Sequence, residues 1–532
     1  MAAGEIEKTE VSAPFVELSK ITSTLVLVSI FLAILMGAMD ALIVATVLPT
    51  IAGELHQVNG VTFVAGAYLI SSTISIPIFA KLSDISSRRN VFLIGLTIFI
   101  VGSALAGLSQ NLSELIVFRG LQGIGGGGVF PVALAMVAVM FPPKTRSRVI
   151  GILSGASGLS IVLGPLVGSY IVSVTTWRWV FYINLPFGIL AIIVLLFALG
   201  PLRPTVKGRF DIPGAGLLSS WVGALMVALV EVSDEGLSWT DPLIVTLLVS
   251  AALLFSTFLW WELRTREPLV PLKLMRRRVI MASSGVVFFT GIVLSALITF
   301  LSVFVGIVLL HNGPDAVSDV RDIIYFLAIP LVLGAAISGQ ILTRASYRNV
   351  IAPGLAVAVA AALFLTQLTS SSPLWVLAAG FIPVGGIVLP LIPLGFGLGF
   401  ALAVPTIAVQ NEASRTEVGA AIGLTRFLQS LGGALGISLL TTFEIGRFKA
   451  LSSGATSQQA IGNALVSAYD EVFLILAVCI AIAFVFALLF VGRVPQKAAE
   501  NSNSKNASLD APHALKEESS VSQKETDRPV IE

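Results

Sequence analysis

A carboxylate and a guanidinium interrupt two long apolar stretches near the start of the chain. Asp40 has Met, Ala, Leu, Ile and Val as sequence neighbours, and Arg119 lies in a later apolar stretch, three residues before Gln122. A charged side chain in lipid costs a few kcal/mol unless it is paired, protonated or wet, so it usually serves the movement of protons or substrates. We predict that Asp40 pairs with Arg119 and carries protons, and that Gln122 shares a helix face with Arg119. The alternative for both charges is a purely structural tie between helices.

A compact charged turn follows the second apolar stretch. Asp84, Arg88 and Arg89 lie within residues 80–89. Basic residues commonly anchor the cytoplasmic ends of membrane spans, but a carboxylate among them is unusual for an anchor. A carboxylate near a helix terminus can form, with two arginines, a charge network that breaks when helices move. We therefore predict a gating role for these three residues, with a simple basic anchor as the alternative.

Two further charges are isolated in apolar surroundings. Glu231 lies near the end of one apolar stretch, and Arg426 lies within another. Both are candidate partners for a substrate or a proton. The alternative for Glu231 is a position at the outer interface, and the alternative for Arg426 is a side chain that snorkels to the membrane surface.

Glycine is concentrated in two of the apolar stretches. Residues 123–128 formally match the dinucleotide-binding pattern G-x-G-x-x-G, but they lack a preceding strand and lie within an apolar helix, so we reject nucleotide binding. Small residues in a membrane helix instead allow a close approach to a neighbouring helix. The same interpretation applies to the stretch that contains Gly151, Gly155, Gly158, Gly164, Pro165 and Gly168.

Composition restricts the class of protein. Of 532 residues, 56% are hydrophobic and 12% are charged, which is more apolar surface than a soluble domain can bury. The single cysteine and the three dispersed histidines provide no disulfide framework and no metal cluster. Basic residues occur in short clusters between apolar stretches, so we expect no nucleic-acid partner. We also find no paired carboxylates or nucleophile beside a base, so we predict neither an enzyme nor a cofactor.

The fold class predicted is an all-α integral membrane protein, because helices satisfy their own backbone groups in lipid and about 20 apolar residues span a bilayer. We expect 374–409 to be one span broken by prolines, with two shorter elements as the alternative. The fourteen predicted spans are 22–46, 61–80, 91–109, 113–141, 149–173, 179–200, 213–232, 242–261, 279–310, 322–343, 350–368, 374–409, 416–442 and 471–492.

The distribution of Lys and Arg predicts the orientation of these spans. Loops after even-numbered spans hold most of the loop Lys and Arg residues, whereas loops after odd-numbered spans hold few. Basic loops remain in the cytoplasm, so both termini should be cytoplasmic. We predict a cytoplasmic tail at 1–21 and a disordered tail at 494–532, where few bulky apolar residues occur.

The motifs together resemble the major facilitator superfamily, specifically its fourteen-span drug:proton antiporter family. The charged turn is similar to G-x-L-s-D-r-x-G-R-R, with Ala80 and Ser87 replacing two glycines and Ile85 replacing a basic residue. Arg119 to Gly123 resemble the fourth-span motif R-x-x-Q-G. Further similarity is carried by the first-span residues Asp40, Ile43, Val44, Leu48 and Pro49, by Gly164, Pro165 and Gly168 of the antiporter motif, and by Trp177 to Pro186 at span 6.

This resemblance implies a mechanism and a division of the chain. Two six-helix bundles, at 22–200 and 279–493, would flank an insertion at 201–278 that carries two helices. The protein would export drugs, toxic compounds or metabolites by alternating access, with protons flowing inward, across what we expect to be the plasma membrane. The partners implied are a small-molecule substrate, protons and lipid. An importer or vacuolar exchanger of amino acids, siderophores or other metabolites is one alternative, and a membrane sensor without transport is another.

Overall fold

The amino-acid composition requires a backbone that satisfies its own hydrogen bonds, and the structure meets this requirement with helices. All regular structure among the residues described is helical. The computed structural model describes residues 19–55, 63–141, 143–200, 202, 208–234, 239–303, 316–342, 344–366, 388–413, 417–453 and 458–490.

Most of the helices are long. A short 3-10 helix at Leu272–Arg276 follows α9. The α-helices in chain order are α1 (Lys20–Glu54), α2 (Phe63–Ile85), α3 (Arg88–Leu108), α4 (Leu112–Met140), α5 (Pro143–Val174), α6 (Trp179–Tyr182), α7 (Asn184–Ala198), α8 (Ile212–Asp234), α9 (Pro242–Arg264), α10 (Arg278–Val303), α11 (Ala316–Ile341), α12 (Tyr347–Leu365), α13 (Val388–Glu412), α14 (Val418–Ser452) and α15 (Gln458–Leu488).

Twelve helices in the described part of the chain are long and apolar enough to cross a membrane. The predicted count of fourteen spans is therefore not confirmed. The long helices α5 and α14, in which Gly, Ser and Thr are frequent, are not among the twelve. Both pack against several other helices, so these small and polar residues have protein neighbours rather than lipid alone. The first part of the predicted broken span 374–409 lies outside the described residues, and its second part belongs to α13.

The outward faces of the helices are strongly apolar. On α9, Leu253 is 65% exposed and Trp260 is 51% exposed, and on α7 Phe197 is 88% exposed. Water around surfaces of this kind would be unfavourable, whereas lipid tails solvate them. The exposed side chains thus support the membrane environment that the composition predicts.

Helix contacts arrange the described helices in two groups with a pair beside them. In the first group α4 packs against α2 and α3, and α1 packs against α5 and α7. In the second group α13 packs against α11 and α12, while α10 and α15 flank α14. The two groups meet where α2 contacts α14 and where α5 contacts α11, and α8 and α9 form the pair beside α2 and α14.

A helix cap sets the depth of the charge in α4. The Asn111 side chain accepts a hydrogen bond from the backbone N–H of Glu114 (2.9 Å), and Glu114 in turn accepts one from the backbone N–H of Gln110 (2.8 Å). This reciprocal arrangement satisfies the backbone N–H of Glu114 in the first turn and that of Gln110 just before the cap. Because α4 begins at Leu112, Arg119 lies about two helical turns inside it.

Candidate functional site

The Asp40 carboxylate is completely buried in α1 and is surrounded by donors from other helices. Its Oδ2 lies 2.5 Å from Nη1 of Arg119. Its Oδ1 accepts hydrogen bonds from Nε2 of Gln122 (2.8 Å) and Nδ2 of Asn184 (2.8 Å). Asn184 also donates to Oγ of Ser103 (3.0 Å) on α3. One carboxylate thus joins α1 to α4 and α7, and the network extends to α3.

The Arg119 guanidinium has several partners besides the Asp40 carboxylate. Nη1 also donates to Oε1 of Gln122 (2.7 Å), and Nε donates to the backbone carbonyl of Val64 (3.3 Å). The guanidinium carbon lies 4.3 Å from the ring centroid of Tyr68 and 5.7 Å from that of Phe181. A buried ion pair is stable only when further hydrogen bonds satisfy both groups, and here they do. A change that separates the pair would leave two buried charges without partners, which is costly.

A cavity of about 360 Å³ lies between the two groups of helices. Its described lining comes from α1, α2 and α4 on one side and from α10 and α14 on the other. Tyr68 connects this cavity to Arg119: it belongs to the cavity lining, the Arg119 guanidinium lies over its ring, and its hydroxyl donates to the carbonyl of Gly37 (3.3 Å). The polar and charged described residues of the lining are Tyr68, Ser72, Ser295, Arg426, Gln429 and Ser430.

The charged turn lies at the far end of the contact between α2 and α14. Asp84 Oδ1 lies 3.0 Å from Nη2 of Arg88, and Asp84 Oδ2 accepts a hydrogen bond from the backbone N–H of Ala420 (2.9 Å). Ala420 is in the first turn of α14, where unpaired N–H groups and the helix dipole favour a negative charge. Arg88 also donates to the carbonyl of Ala135 on α4 (2.7 Å). Asp84 therefore fastens one group of helices to the other.

Arg89 takes no part in this fastening. Its Nε and Nη2 donate to the carbonyls of Leu195 (3.2 Å) and Leu196 (2.9 Å) near the end of α7. These carbonyls belong to the last turn of a helix, where a cation is favourable. Of the three residues predicted to gate, the structure brings Asp84 and Arg88 together and places Arg89 within the first group of helices.

Replacing Asp84 by Asn should open this end of the α2–α14 contact. The amide has no charge for the α14 terminus or for Arg88, and a partly buried interaction with a helix terminus stabilises by about 1–2 kcal/mol. We expect the equilibrium between closed and open forms to shift by about 5–30-fold. Spin labels at Asn90→Cys and Asn349→Cys, in a Cys479→Ser background, report the distance across this end.

Arg89→Gln is the matched control, because it removes a charge from the same turn without touching α14. Its distance distribution should equal that of the parent protein, whereas Asp84→Asn should add longer distances. An unchanged distribution in Asp84→Asn would contradict the assignment of Asp84 as the fastening residue.

The predicted antiporter motif lies on α5, where this helix packs against α1 close to Asp40. A Cβ built on Gly164 would stand 2.7 Å from Cβ of Leu42, so only glycine allows α5 to approach α1 at this level. Gly168 is buried as well, and the side chain of Pro165 lies outside the described residues. The motif thus borders the helix that carries Asp40.

The two isolated charges differ in position. Arg426 lines the cavity, whereas Glu231 is half-buried on α8 and is not among the described residues of the lining. The structure therefore brings Arg426, and not Glu231, to a place where a ligand could bind.

Sequence reasoning assigned no role to three residues of this site. Asn184 belongs to the Trp177–Pro186 motif, and a single amide at the start of an apolar helix was the available signal. Tyr68 and Ala420 gave no signal, because a tyrosine in a span or an alanine in a first turn is common. Their contribution depends on which helix faces lie opposite each other.

Comparison with known proteins adds independent findings. A sequence model described as Major Facilitator Superfamily matches residues 30–437. The chain is 34% identical over 418 residues to the multidrug transporter protein MdtP of Bacillus subtilis (strain 168), which covers 78% of this chain and 74% of that protein. It is 32% identical over 424 residues to multidrug resistance protein 3 of the same strain, with 80% of each chain covered.

A solved structure supports the fold. The crystal structure of a bacterial homolog of the human lysosomal transporter Spinster, in an inward-facing and unoccupied conformation, matches with a TM-score of 0.53. It covers 89% of this chain and 98% of that chain at 17% sequence identity. At this identity the likeness concerns the fold alone.

Proposed function

The chain belongs to the major facilitator superfamily, and we propose that it exports small molecules in exchange for protons that flow inward. It is an integral membrane protein and a membrane transporter. The direction and the use of protons are our proposal. The names of the two Bacillus subtilis relatives, a multidrug transporter protein and a multidrug resistance protein, support export as the proposed direction.

One observation carries the proposal of proton coupling. Asp40 is a fully buried carboxylate whose partner, Arg119, touches the wall of the cavity through Tyr68. A carboxylate inside a membrane protein can gain and lose a proton, and such residues mark proton pathways. Tyr68 would couple the cavity to the ion pair, because a ligand that displaces the Tyr68 ring would disturb its contact with the Arg119 guanidinium.

The proposed cycle follows from these contacts. In the first state of the cycle, Asp40 is ionised and paired with Arg119. In that state α2 and α14 are in contact, with hydrogen bonds between Thr73 and Ser430 (2.6 Å) and between Asp84 and Ala420. Protonation of Asp40 removes the charge that holds Arg119. The released guanidinium and the shifted Tyr68 would then favour rocking of one group of helices against the other, which moves the cavity opening to the opposite side.

Transport in liposomes tests the proposal. The purified protein is reconstituted with the lumen either more acidic or more alkaline than the bath, and the membrane potential is clamped at zero with K⁺ and valinomycin. Ethidium and naphthalenesulfonate serve as a cationic and an anionic probe. We expect at least one of them to accumulate only in the acidic lumen, because antiport moves substrate against the proton flow.

Two results would contradict the proposal. Accumulation in the alkaline lumen would indicate transport in the same direction as protons. Equal movement with and without a pH gradient would indicate a carrier that uses no protons.

A further inference from the structure

The cavity contains one charged side chain among the described residues of its lining, and that charge is positive. Arg426 projects from α14, and no Asp or Glu of the described chain lines the cavity beside it. A guanidinium at this depth remains a cation, so the cavity carries a permanent positive charge. From this charge we infer that the substrates are organic anions with a flat apolar body, a statement that rests on the proposed transport function.

The guanidinium has hydrogen-bonding capacity left for a ligand. Nη1 of Arg426 donates to Oε1 of Gln429 (2.6 Å), an uncharged partner on the same helix. An arginine carries five N–H donors in a rigid planar arrangement that matches the two oxygens of a carboxylate, phosphate or sulfonate. Within the described part of the chain no carboxylate forms an ion pair with Arg426. An anionic ligand would supply the missing negative charge.

Phe130 holds the Arg426 guanidinium in place. The guanidinium carbon lies 3.4 Å from the centroid of the Phe130 ring, over one aromatic face. Phe130 belongs to α4 and Arg426 to α14, so the contact crosses the cavity from one group of helices to the other. An aromatic ligand could stack in the same manner while its anionic group engages the N–H donors.

The remainder of the lining favours an apolar body of moderate size. Ile34, Leu69, Ile76, Leu294 and Ile437 line the cavity, and Ser72 and Ser295 offer hydroxyl groups. A volume of about 360 Å³ lies within the range of small-molecule sites. A permanently cationic ligand would meet Arg426 with no carboxylate to offset the repulsion, so the site selects against it.

The test compares three probes that share one ring system: naphthalenesulfonate, naphthalenesulfonamide and naphthyltrimethylammonium. Each is titrated against the full-length protein in phosphatidylcholine nanodiscs, with empty nanodiscs subtracted. We expect the sulfonate to bind about tenfold more tightly than the sulfonamide, since hydrogen bonds to charged groups are stronger than neutral ones. We expect the trimethylammonium probe to bind most weakly.

Variants of Arg426 identify the residue responsible. Arg426→Gln should weaken sulfonate binding about tenfold, to the level of the sulfonamide, and leave sulfonamide binding unchanged, which also shows that the cavity is folded. Arg426→Lys should give an intermediate loss, because it keeps the charge without the planar set of donors. The matched control is Arg264→Gln, which removes another arginine stacked on an aromatic ring, with 4.5 Å to the centroid of Trp260, at the end of α9.

Defined outcomes overturn the inference. A wild-type protein that binds the sulfonate no more tightly than the sulfonamide would overturn it without any variant, and so would a sulfonate preference that survives Arg426→Gln. Gradient-driven ethidium accumulation without a sulfonate preference would overturn the anion site and leave the export proposal standing. Sulfonate binding that depends on Arg426, without flux of ethidium or naphthalenesulfonate, would overturn the export proposal and leave the anion site standing.

Discussion

Replacing Asp40 by Asn is expected to abolish gradient-driven transport and to lower the free energy of unfolding. The amide cannot carry a proton, and it leaves the Arg119 guanidinium buried without a counter-charge. Removing one partner of a buried ion pair costs about 3–5 kcal/mol, and we expect the lower end because the amide oxygen still accepts a hydrogen bond from Arg119. Uptake in liposomes and the thermal unfolding midpoint measure the two effects.

A double variant separates coupling from stability. Asp40→Asn combined with Arg119→Gln removes both charges, so it should regain most of the lost unfolding temperature and still show no gradient-driven uptake. Asp241→Asn is the matched control, because it makes the same substitution at an exposed cap of α9 and should change neither quantity. Gradient-driven uptake by the double variant would refute Asp40 as the proton carrier.

The second large effect should follow from adding one methyl group to α4. A Cβ built on Gly125 would stand 2.8 Å from Cα of Phe99 and overlap the neighbouring backbone of α3, whereas a Cβ on Gly120 would meet nothing within 4 Å. Backbone cannot move aside as a flexible side chain can, so Gly125→Ala should separate α3 from α4. We expect a loss of about 1–3 kcal/mol in the free energy of unfolding.

The sign of the effect should reverse at Gly120. Alanine is favoured over glycine inside a helix by about 1 kcal/mol, and the open space around Gly120 allows that gain. Thermal unfolding of Gly125→Ala and Gly120→Ala in the same detergent compares the two directly. Equal destabilisation by both substitutions would contradict close packing of α3 against α4 as the purpose of the glycine run.

The sequence predicted the class of fold because lipid leaves few options for a backbone. Apolar stretches of span length indicate helices, and both the all-helical architecture and the superfamily are confirmed. The first span was predicted at 22–46, and the candidate membrane span is Lys20–Val44. The helix that contains it, α1, continues to Glu54, an extension that the sequence analysis did not predict. The division of the chain into two bundles and an insertion stays a prediction.

The pairing of charges was predictable, and their roles were not testable from geometry. The cost of an unpaired charge in lipid predicted that Asp40 and Arg119 would meet, and the structure places their atoms 2.5 Å apart. Proton carriage by Asp40 stays a prediction. The contact of Asp84 with Ala420 could not be predicted from the sequence. It joins segments more than 300 residues apart, and it depends on which faces of α2 and α14 lie opposite each other.

The central claim is that substrate and proton move in opposite directions through Asp40, and a luminal pH measurement tests it most directly. Liposomes containing the protein and the dye pyranine begin with equal pH on both sides, and a gradient of whichever probe is transported, ethidium or naphthalenesulfonate, is imposed. Probe entering the lumen should drive protons out, so that luminal pH rises, and probe leaving should lower it. Asp40→Asn should remove both responses. Probe movement without any luminal pH change, or an undiminished change in Asp40→Asn, would contradict the account.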